Sequence, residues 1–181
     1  MTPAFKTILE SQTVLTELMI PSYANFGGKI HGGILLSLMD KVAYVTASKH
    51  YGGYCVTVAV EGVEFMHPVE VGQLVSLKAS INYVGKTSMI VGIRVEALQP
   101  KTGEVFHTNS SYFTMVAKNE SHETDRVPGL ILQTETDIRR FYEGMHLKQM
   151  AKQKRDMLKS DFSSLTLEDI CAHFLDENCK F

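Results

Sequence analysis

One carboxylate stands out among the side chains that could do chemistry. Asp40 lies within residues 32–49, a predicted helix whose apolar side chains cover most of its circumference. A carboxylate in such a helix costs free energy unless it is paired, hydrogen-bonded or neutral, so its presence needs a reason. Helical spacing places it in a polar stripe, which consists of Ser37, Asp40, Lys41, Tyr44 and Ser48.

Residue chemistry alone leaves two interpretations of this stripe open. In the structural one, the stripe faces solvent or a subunit interface, and Asp40 only pairs with Lys41 or Tyr44. In the chemical one, Asp40 activates a water molecule or attacks a carbonyl carbon directly.

The start of the same helix favours the chemical interpretation. Gly32 and Gly33 leave backbone N–H groups uncovered by side chains at the positive end of the helix dipole. Such donors polarise a carbonyl group and stabilise a developing oxyanion, typically by about 3 to 4 kcal/mol. Asp40 would lie about two turns further along, roughly 10 Å away. An acyl group that runs along the helix would meet both features.

Histidine chemistry has weaker support. His31 precedes the helix, but no Gly-x-Ser-x-Gly elbow or paired cysteine accompanies it, and a histidine at this place more often caps or packs. His31 is therefore only a weak site candidate. His67 and His107 lack a second ligand at metal spacing, so we expect hydrolysis without a metal.

The elements that must position these residues are one helix and several strands. Residues 14–20 predict a first strand that Pro21 closes, and the helix begins at Gly32 and ends at Gly52-Gly53. Alternation predicts a strand over residues 56–65, with a bulge at Glu61-Gly62, and further strands over 88–97 and 104–117. A strand is also predicted over residues 74–83, with Ser76, Lys78, Ser80 and Asn82 on a face exposed to solvent. Four consecutive strands with short turns imply an antiparallel meander, and the helix can bury its surface only in the concave face of that sheet. The expected class is α+β.

Composition limits the kinds of partner. The chain has 181 residues, of which 44% are apolar and 21% charged, as expected for one domain with an appended segment. The formal net charge of -2 argues against nucleic acid as the main partner. No stretch reaches the ~20 apolar residues that span a bilayer, and the N-terminus lacks a signal layout, so we expect a cytoplasmic protein without a membrane partner.

Cysteine usage agrees with a reducing compartment. Cys55, Cys171 and Cys179 are odd in number, scattered and outside any C-x-x-C spacing. This pattern supports neither a disulfide framework nor a structural zinc site, so reduced thiols are expected.

The composition changes after about residue 118. Residues 1–118 are expected to form one domain, and residues 119–181 a linker with a basic helical extension, whose main helix covers residues 136–159 and is followed by a short helix from Leu167. The simpler interpretation of the basic residues is a solvated helix face. In the sharper one, Arg139, Arg140 or Lys148 engage phosphate groups.

A long run from Pro21 to Asp40, PSYANFGGKIHGGILLSLMD, resembles the hotdog-fold acyl-CoA thioesterases, the acyl-CoA hydrolase group of bacteria and animals. Further segments look like family segments in the same order, at residues 54–57, 85–89 and 107–116. The resemblance covers about residues 14–117. It implies a hotdog fold, in which a curved antiparallel sheet wraps a long central helix, here with a C-terminal helical extension.

The resemblance also implies roles for individual residues. Asp40 matches the general base or nucleophile, and Asn25 matches a loop asparagine that orients water or the thioester from the facing subunit; without the resemblance, Asn25 would more commonly cap a turn. Gly32 and Gly33 match the glycines whose amides hold the thioester oxygen.

Two further matches concern the ligand chain and the loop. The turn of Gly85, Lys86, Thr87 and Ser88 resembles the one that lies near the coenzyme A chain. Lys29 departs from the asparagine or aspartate that many relatives carry two residues before His-Gly-Gly, which leaves its role open.

The prediction is a thioesterase that hydrolyses fatty acyl-CoA in a groove shared between subunits of a homo-oligomer, a trimer of dimers as in relatives. Coenzyme A belongs to substrate and product, and no separate cofactor is expected. The alternatives are a non-hydrolytic acyl-CoA binding or sensor protein, which has no need of Asp40, and a dehydratase, whose histidine motif is not found. Release of free thiol distinguishes hydrolysis from both.

Overall fold

One long helix, α2, lies against one face of a five-stranded antiparallel sheet in the computed structural model, which describes residues 5–160, 165–174 and 178. The strands of the main sheet are β2 (Thr13–Leu18), β3 (Cys55–Glu61), β4 (Leu74–Val84), β5 (Ser88–Leu98) and β6 (Val105–Ala117). The other elements are β1 (Phe5–Thr7), α1 (Ile8–Ser11), a 3-10 turn (Pro21–Tyr23), α2 (Gly32–Tyr51), β7 (Gly129–Ile131), α3 (Glu135–Ser160) and α4 (Leu167–Ala172). The predicted α+β class is confirmed.

The strand order is β2-β4-β5-β6-β3, so β2 and β3 form the two edges. The predicted meander holds for β4, β5 and β6. It is wrong for β3, which crosses over and pairs with β6 rather than with β4. The helix α2 causes this crossover, because it ends at the end of the sheet where β6 finishes. The chain therefore enters β3 beside β6, and Cys55 pairs with Ala117 on the free side of β6.

The strand β3 is shorter than the alternation of residues 56–65 predicts. It ends at Glu61, and its bulge falls between Thr57 and Ala59 instead of at Glu61-Gly62. Gly62 takes a left-handed φ of 67°, which ends the extended segment so that the residues after it leave the sheet.

The core lies between α2 and the concave face of the sheet. The helix buries Leu35, Leu38, Met39, Val42 and Ala43 within its first three turns. The strands contribute alternate residues, including Val75, Leu77, Ala79, Ile81, Met89, Val91, Ile93, Val95, Phe113 and Met115. The opposite stripe of α2 stays exposed, because one sheet covers only one side of a helix.

Both ends of α2 follow from local residue types. His31 is the N-cap, and its Nδ1 accepts a hydrogen bond of 2.9 Å from the Gly33 N–H. At the other end Gly52 takes a left-handed φ of 89°, and its N–H donates to the Ser48 carbonyl at 2.7 Å. The predicted helix start at Gly32 and its end at the glycine pair are confirmed.

The chain divides into two compact units, Met1–Gly144 and Met145–Phe181, rather than at residue 118. The first unit continues past residue 118 because β7 pairs in parallel with β1, and because the first turns of α3 pack on β4. There, the rings of Tyr83 and Phe141 lie 5.0 Å apart, and a Cβ built on Gly144 would approach Tyr83 Cβ to 2.6 Å.

The second unit holds the rest of α3 and α4, as the helical pattern of the sequence predicts. Cys171 in α4 carries a free thiol, and Cys179 lies outside the described residues. Across the part of the chain that the structure describes, no helix combines the length and the apolar character needed to cross a membrane.

Candidate active site

Asp40 lies on the exposed stripe of α2, beside Lys41 and Tyr44. The apolar circumference of the helix predicted a buried carboxylate, but Asp40 is exposed in the single chain, since the sheet covers only the opposite stripe of the helix. Among the described residues, no ion pair of Asp40 with Lys41 is present, and its partner is a hydroxyl on the sheet.

That hydroxyl belongs to Thr57 on β3. Its Oγ1 donates a hydrogen bond of 2.6 Å to Oδ1 of Asp40, and it also lies 3.3 Å from Sδ of Met115. Thr57 pairs with Met115 across β3 and β6, so its side chain points to the face of the sheet that carries the helix. Short hydrogen bonds to a carboxylate are stronger than neutral ones and fix its orientation. Thr57 leaves the second carboxylate oxygen of Asp40 available for chemistry.

Thr57 is not among the site residues that the sequence predicts. Residues 54–57 looked like a family segment, yet no role was assigned to any of them. A polar β-branched residue next to a bulge on an edge strand is the only local signal, and its proximity to Asp40 depends on how β3 crosses over.

The neighbouring thiol of Cys55 is not a competing nucleophile. Cys55 is buried, and burial raises the pKa of its thiol to about 11. A thiol with such a pKa stays protonated near neutral pH, and the protonated form is a poor nucleophile.

At the helix start, the two glycines differ. The Gly33 N–H donates to Nδ1 of His31, whereas the Gly32 N–H makes no hydrogen bond with any described residue. A Cβ at Gly33 would lie 3.0 Å from that same Nδ1, so a larger residue there would push the capping imidazole aside. Gly32 thus carries the free backbone donor at this helix start, and the Phe65 ring lies close to it.

The Asn25 loop is held by its own hydrogen bonds. Oδ1 of Asn25 accepts from the N–H groups of Gly27 at 2.9 Å and of Lys29 at 3.2 Å, and the Asn25 N–H donates to the Lys29 carbonyl at 2.7 Å. These bonds are the turn-capping role that asparagine commonly has. They also fix the amide plane, so that Nδ2 is the end of the side chain that remains free to donate.

Lys29, whose role was open, forms an ion pair with Glu70. The same two residues make an isolated antiparallel bridge. This contact ties the Asn25 loop to the segment before β4. The role of Lys29 in the single chain is therefore to hold this loop, although an exposed pair of this kind contributes little to stability.

The turn of Gly85, Lys86, Thr87 and Ser88 connects β4 with β5 at the end of the sheet where β6 finishes. The Gly85 N–H donates to the Ser88 carbonyl at 2.7 Å, and the Thr87 carbonyl accepts from Ala117 at 3.0 Å. Backbone bonds thus hold this turn rigidly, and the Lys86 side chain is exposed.

Arg139 and Arg140 lie apart from Asp40. Both line a cavity on the outer face of the sheet, under α3, together with the outward-facing Lys78 and Arg94. Asp40 and Thr57 lie on the helix side of the same sheet. Within one chain, the structure therefore brings together Asp40 with Thr57 and His31 with Gly33, but not the two arginines with Asp40.

Among the described residues, no three His, Cys, Asp or Glu side chains lie together as a metal ion would require. Hydrolysis without a metal stays a prediction.

Comparison with known proteins places this geometry among related chains. Residues 27–104 match the thioesterase superfamily. Protein VdlD of Helicobacter pylori is 46% identical over 150 residues, which are 83% of this chain and 84% of that protein. The cytosolic acyl coenzyme A thioester hydrolase of Mus musculus is 29% identical over 155 residues, 84% of this chain but 41% of that protein. The crystal structure of an apo-hexameric acyl-CoA thioesterase aligns with a TM-score of 0.80 and 34% identity, covering 85% of this chain and 98% of that one.

Proposed function

This chain belongs to the thioesterase superfamily and is a thioesterase, and we propose that it hydrolyses fatty acyl-CoA to a free fatty acid and coenzyme A. The observation that carries the proposal is the Asp40 carboxylate, exposed on α2 and held by Thr57. The names of the mouse relative and of the hexameric one support acyl-CoA as the substrate class. The mouse name, which includes the word cytosolic, also supports the proposed cytoplasmic setting. A place in fatty acid metabolism is proposed because the product would be a fatty acid.

In this proposal Asp40 acts at the thioester carbon. As a general base, its carboxylate takes a proton from water while the water oxygen bonds to the carbonyl carbon. The C–S bond then breaks, the sulfur takes up a proton, and the carboxylic acid and the free thiol leave. As a nucleophile, the carboxylate itself would bond to the carbonyl carbon while the C–S bond breaks, and the released thiolate would take a proton from solvent. Water would then hydrolyse the resulting anhydride to the free fatty acid and the Asp40 carboxylate.

The oxyanion is proposed to lie at the start of α2. The free Gly32 N–H points out of the positive end of the helix dipole, where a developing negative charge is stabilised. Gly33 would join it only when His31 releases its N–H. The hydrogen bond between Gly33 and His31 therefore decides whether one or two backbone N–H groups can donate to the oxyanion.

Asn25 is proposed to act from a facing subunit. In the single chain, the hydrogen bonds of its side chain all go to its own loop, and the adjacent Phe26 is fully exposed. An exposed phenylalanine at a loop tip is a typical interface anchor, because its burial contributes about 1.5 to 3 kcal/mol. Nδ2 of Asn25 would then donate to the water or the thioester of the partner chain.

The edge strand β3 offers the surface for this assembly. Val58 and Val60 on β3 are exposed, as are Tyr44 and Val45 on α2. An open apolar edge favours pairing with a second copy of the chain. The proposal is a dimer with two shared sites and, as the hexameric relative suggests, a trimer of dimers.

Coenzyme A is proposed to contact the turn of Gly85, Lys86, Thr87 and Ser88, where the Lys86 ammonium would meet a phosphate group. Arg139 and Arg140 are further candidates for its phosphates. Because the sheet separates them from Asp40, a coenzyme A at Asp40 would meet the arginines of another protomer.

Complementation between two inactive variants tests the shared site. Asp40→Asn removes the base, and Asn25→Asp removes the Nδ2 donor while an oxygen remains for the Gly27 and Lys29 N–H groups. Each variant alone should release almost no thiol from an acyl-CoA. After co-refolding in equal amounts, half of the dimers are hybrids with one intact site, so about a quarter of wild-type activity should return.

The controls separate assembly from chemistry. Asp40→Asn refolded alone by the same procedure should stay inactive. Both variants should have the oligomeric mass of the wild type. If the mixture of the two variants stays inactive although hybrids form, Asn25 and Asp40 do not act across an interface.

A further inference from the structure

A half-exposed aromatic ring lies at the start of α2, beside the donor proposed for the oxyanion. A Cβ built on Gly32 would meet three atoms of the Phe65 ring, at 3.2 Å for Cζ, 3.5 Å for Cε2 and 3.8 Å for Cε1. The ring therefore points its tip at the glycine and occupies the space that a larger side chain would need. Phe65 is nevertheless 49% exposed, so much of its surface stays open to a ligand.

The segment after β3 holds this ring in place. Gly62, with its left-handed φ of 67°, turns the chain out of the sheet. The residue after Phe65 is Met66, whose N–H donates to the Thr108 carbonyl at 2.9 Å. Thr108 is the extra residue of a β-bulge in β6, and its hydroxyl donates to the Val95 carbonyl at 3.2 Å. The backbone beside Phe65 is thus tied to the sheet.

Phe65 continues one wall of the groove in which Asp40 lies. Val60 pairs with Phe113, a core residue, so its side chain points to the same face of the sheet as that of Thr57. Val60 is 42% exposed on that face. From Thr57, which contacts Asp40, the chain therefore runs past Val60 to Phe65 at the start of the helix, and it lines the groove with apolar surface.

The place of the ring decides which part of a thioester it meets. An oxygen that accepts from the Gly32 N–H lies about 3 Å from that nitrogen. The carbonyl carbon is one bond further away and the first carbon of the acyl chain two bonds, so both come against a ring whose tip already contacts the glycine. An apolar ring suits the acyl side of the thioester, because the chain beyond the sulfur carries polar amide groups.

An anchored ring at this place discriminates by shape. A CH2 group next to the carbonyl fits beside the ring, whereas a branched carbon adds a methyl group that has to displace the ring or the thioester. One such group in an apolar pocket typically changes kcat/KM by about 10- to 200-fold.

We propose that Phe65 is a specificity-determining residue, whose ring contacts the acyl chain beside the carbonyl and selects straight chains over chains branched at the first carbon. The substrate class is then straight-chain acyl-CoA. This inference rests on the proposed hydrolysis of acyl-CoA with the oxyanion at Gly32.

Thiol release from matched pairs of isomers tests the proposal. The straight-chain substrates are butyryl-CoA, octanoyl-CoA and palmitoyl-CoA, and each is paired with the isomer in which one methyl group branches from the carbon next to the carbonyl. The wild type should have the higher kcat/KM for the straight chain of each pair that it hydrolyses. In Phe65→Ala the ratio of straight to branched kcat/KM should fall by about tenfold or more, because the ring no longer excludes the methyl group.

Two further variants make the test specific. Met66→Ala truncates the adjacent residue, which is 51% exposed but does not lie against Gly32, and it should leave the ratio within about twofold of the wild type. Phe65→Leu keeps an apolar side chain without the tip of the ring, so its ratio should fall between those of the wild type and Phe65→Ala. This variant keeps the test valid if Phe65→Ala folds poorly.

The outcomes separate this inference from the proposed function. A ratio that stays unchanged in Phe65→Ala and Phe65→Leu, or that falls equally in Met66→Ala, would overturn the role of Phe65 while hydrolysis of acyl-CoA stands. Equal hydrolysis of both isomers by the wild type would do the same. If the wild type releases no thiol from any of the straight-chain substrates, the proposed function is wrong and the inference fails with it.

Discussion

The hydroxyl of Thr57 donates a hydrogen bond of 2.6 Å to Oδ1 of Asp40, joining the edge strand β3 to the exposed stripe of α2. If Thr57 positions the carboxylate, Thr57→Ala should lower kcat for thiol release about ten- to a hundredfold. This range corresponds to the loss of one hydrogen bond to a charged group, about 1.5 to 3 kcal/mol. KM should change much less, because the substrate contacts remain.

Two further variants make this prediction specific. Thr57→Ser keeps the hydroxyl and should restore most of kcat, whereas Thr57→Val keeps the shape without the donor and should behave like Thr57→Ala. Equal kcat values for the serine and valine variants would show that the hydrogen bond to Asp40 does not contribute to turnover.

The N-cap of α2 predicts a stability change. His31→Ala removes the acceptor of the Gly33 N–H and should lower the free energy of unfolding by about 1 kcal/mol. His31→Asn supplies another good N-cap and should recover most of that loss. Urea denaturation monitored by circular dichroism measures both values. A histidine that only packs against its neighbours would leave the asparagine variant as unstable as the alanine variant.

Local signals were sufficient to predict much of this molecule. The absence of proline after Gly32 and the pair Gly52-Gly53 predict both ends of α2, and clean alternation predicts β4 and β5. An aspartate is unusual in an apolar helix, which makes Asp40 a site candidate from the sequence alone. A histidine just before a helix commonly caps or packs, and His31 is the N-cap of α2.

Features that depend on distant contacts were not predictable in this way. The pairing of β3 with β6, and with it the approach of Thr57 to Asp40, is set by a crossover that no local pattern records. The bulge at Asn82 does not interrupt the alternation of β4, so Ser80 and Asn82 were expected to be wet. They are buried because α3 returns over them, which also explains why the first unit extends past residue 118.

The two edges of the sheet offer a matched pair of substitutions for the proposed dimer. Val58 on β3 is 56% exposed and Val14 on β2 is 60% exposed. Val58→Asp should give a smaller species in light scattering and should lose thiol release, because a charge on the pairing edge opposes association. Val14→Asp should keep the wild-type mass. Dissociation by Val14→Asp alone would instead place the dimer contact on β2.

His50 predicts how stability depends on pH. It is fully buried in α2, its Nε2 lies 3.0 Å from the Pro128 carbonyl, and its Nδ1 has no hydrogen-bond partner among the described residues. Burial lowers the pKa of His50, and the hydrogen bond to the Pro128 carbonyl opposes this effect. Lys6 lowers the pKa further, and Glu10 raises it. Below a pH of about 6.5, His50 takes up a proton in the unfolded chain but not in the folded one. Protonation therefore favours the unfolded chain, and the free energy of unfolding decreases as the pH falls from about 6.5 toward the pKa of His50 in the folded chain. The free energy of unfolding can be measured by urea denaturation between about pH 7.5 and 5.5. As the pH falls, it should decrease more steeply in the wild type than in His50→Gln, whose side chain does not titrate. The difference in slope should reach up to about 1.4 kcal/mol per pH unit. Parallel pH profiles for the two proteins would show that His50 is protonated as readily in the folded chain as in the unfolded one.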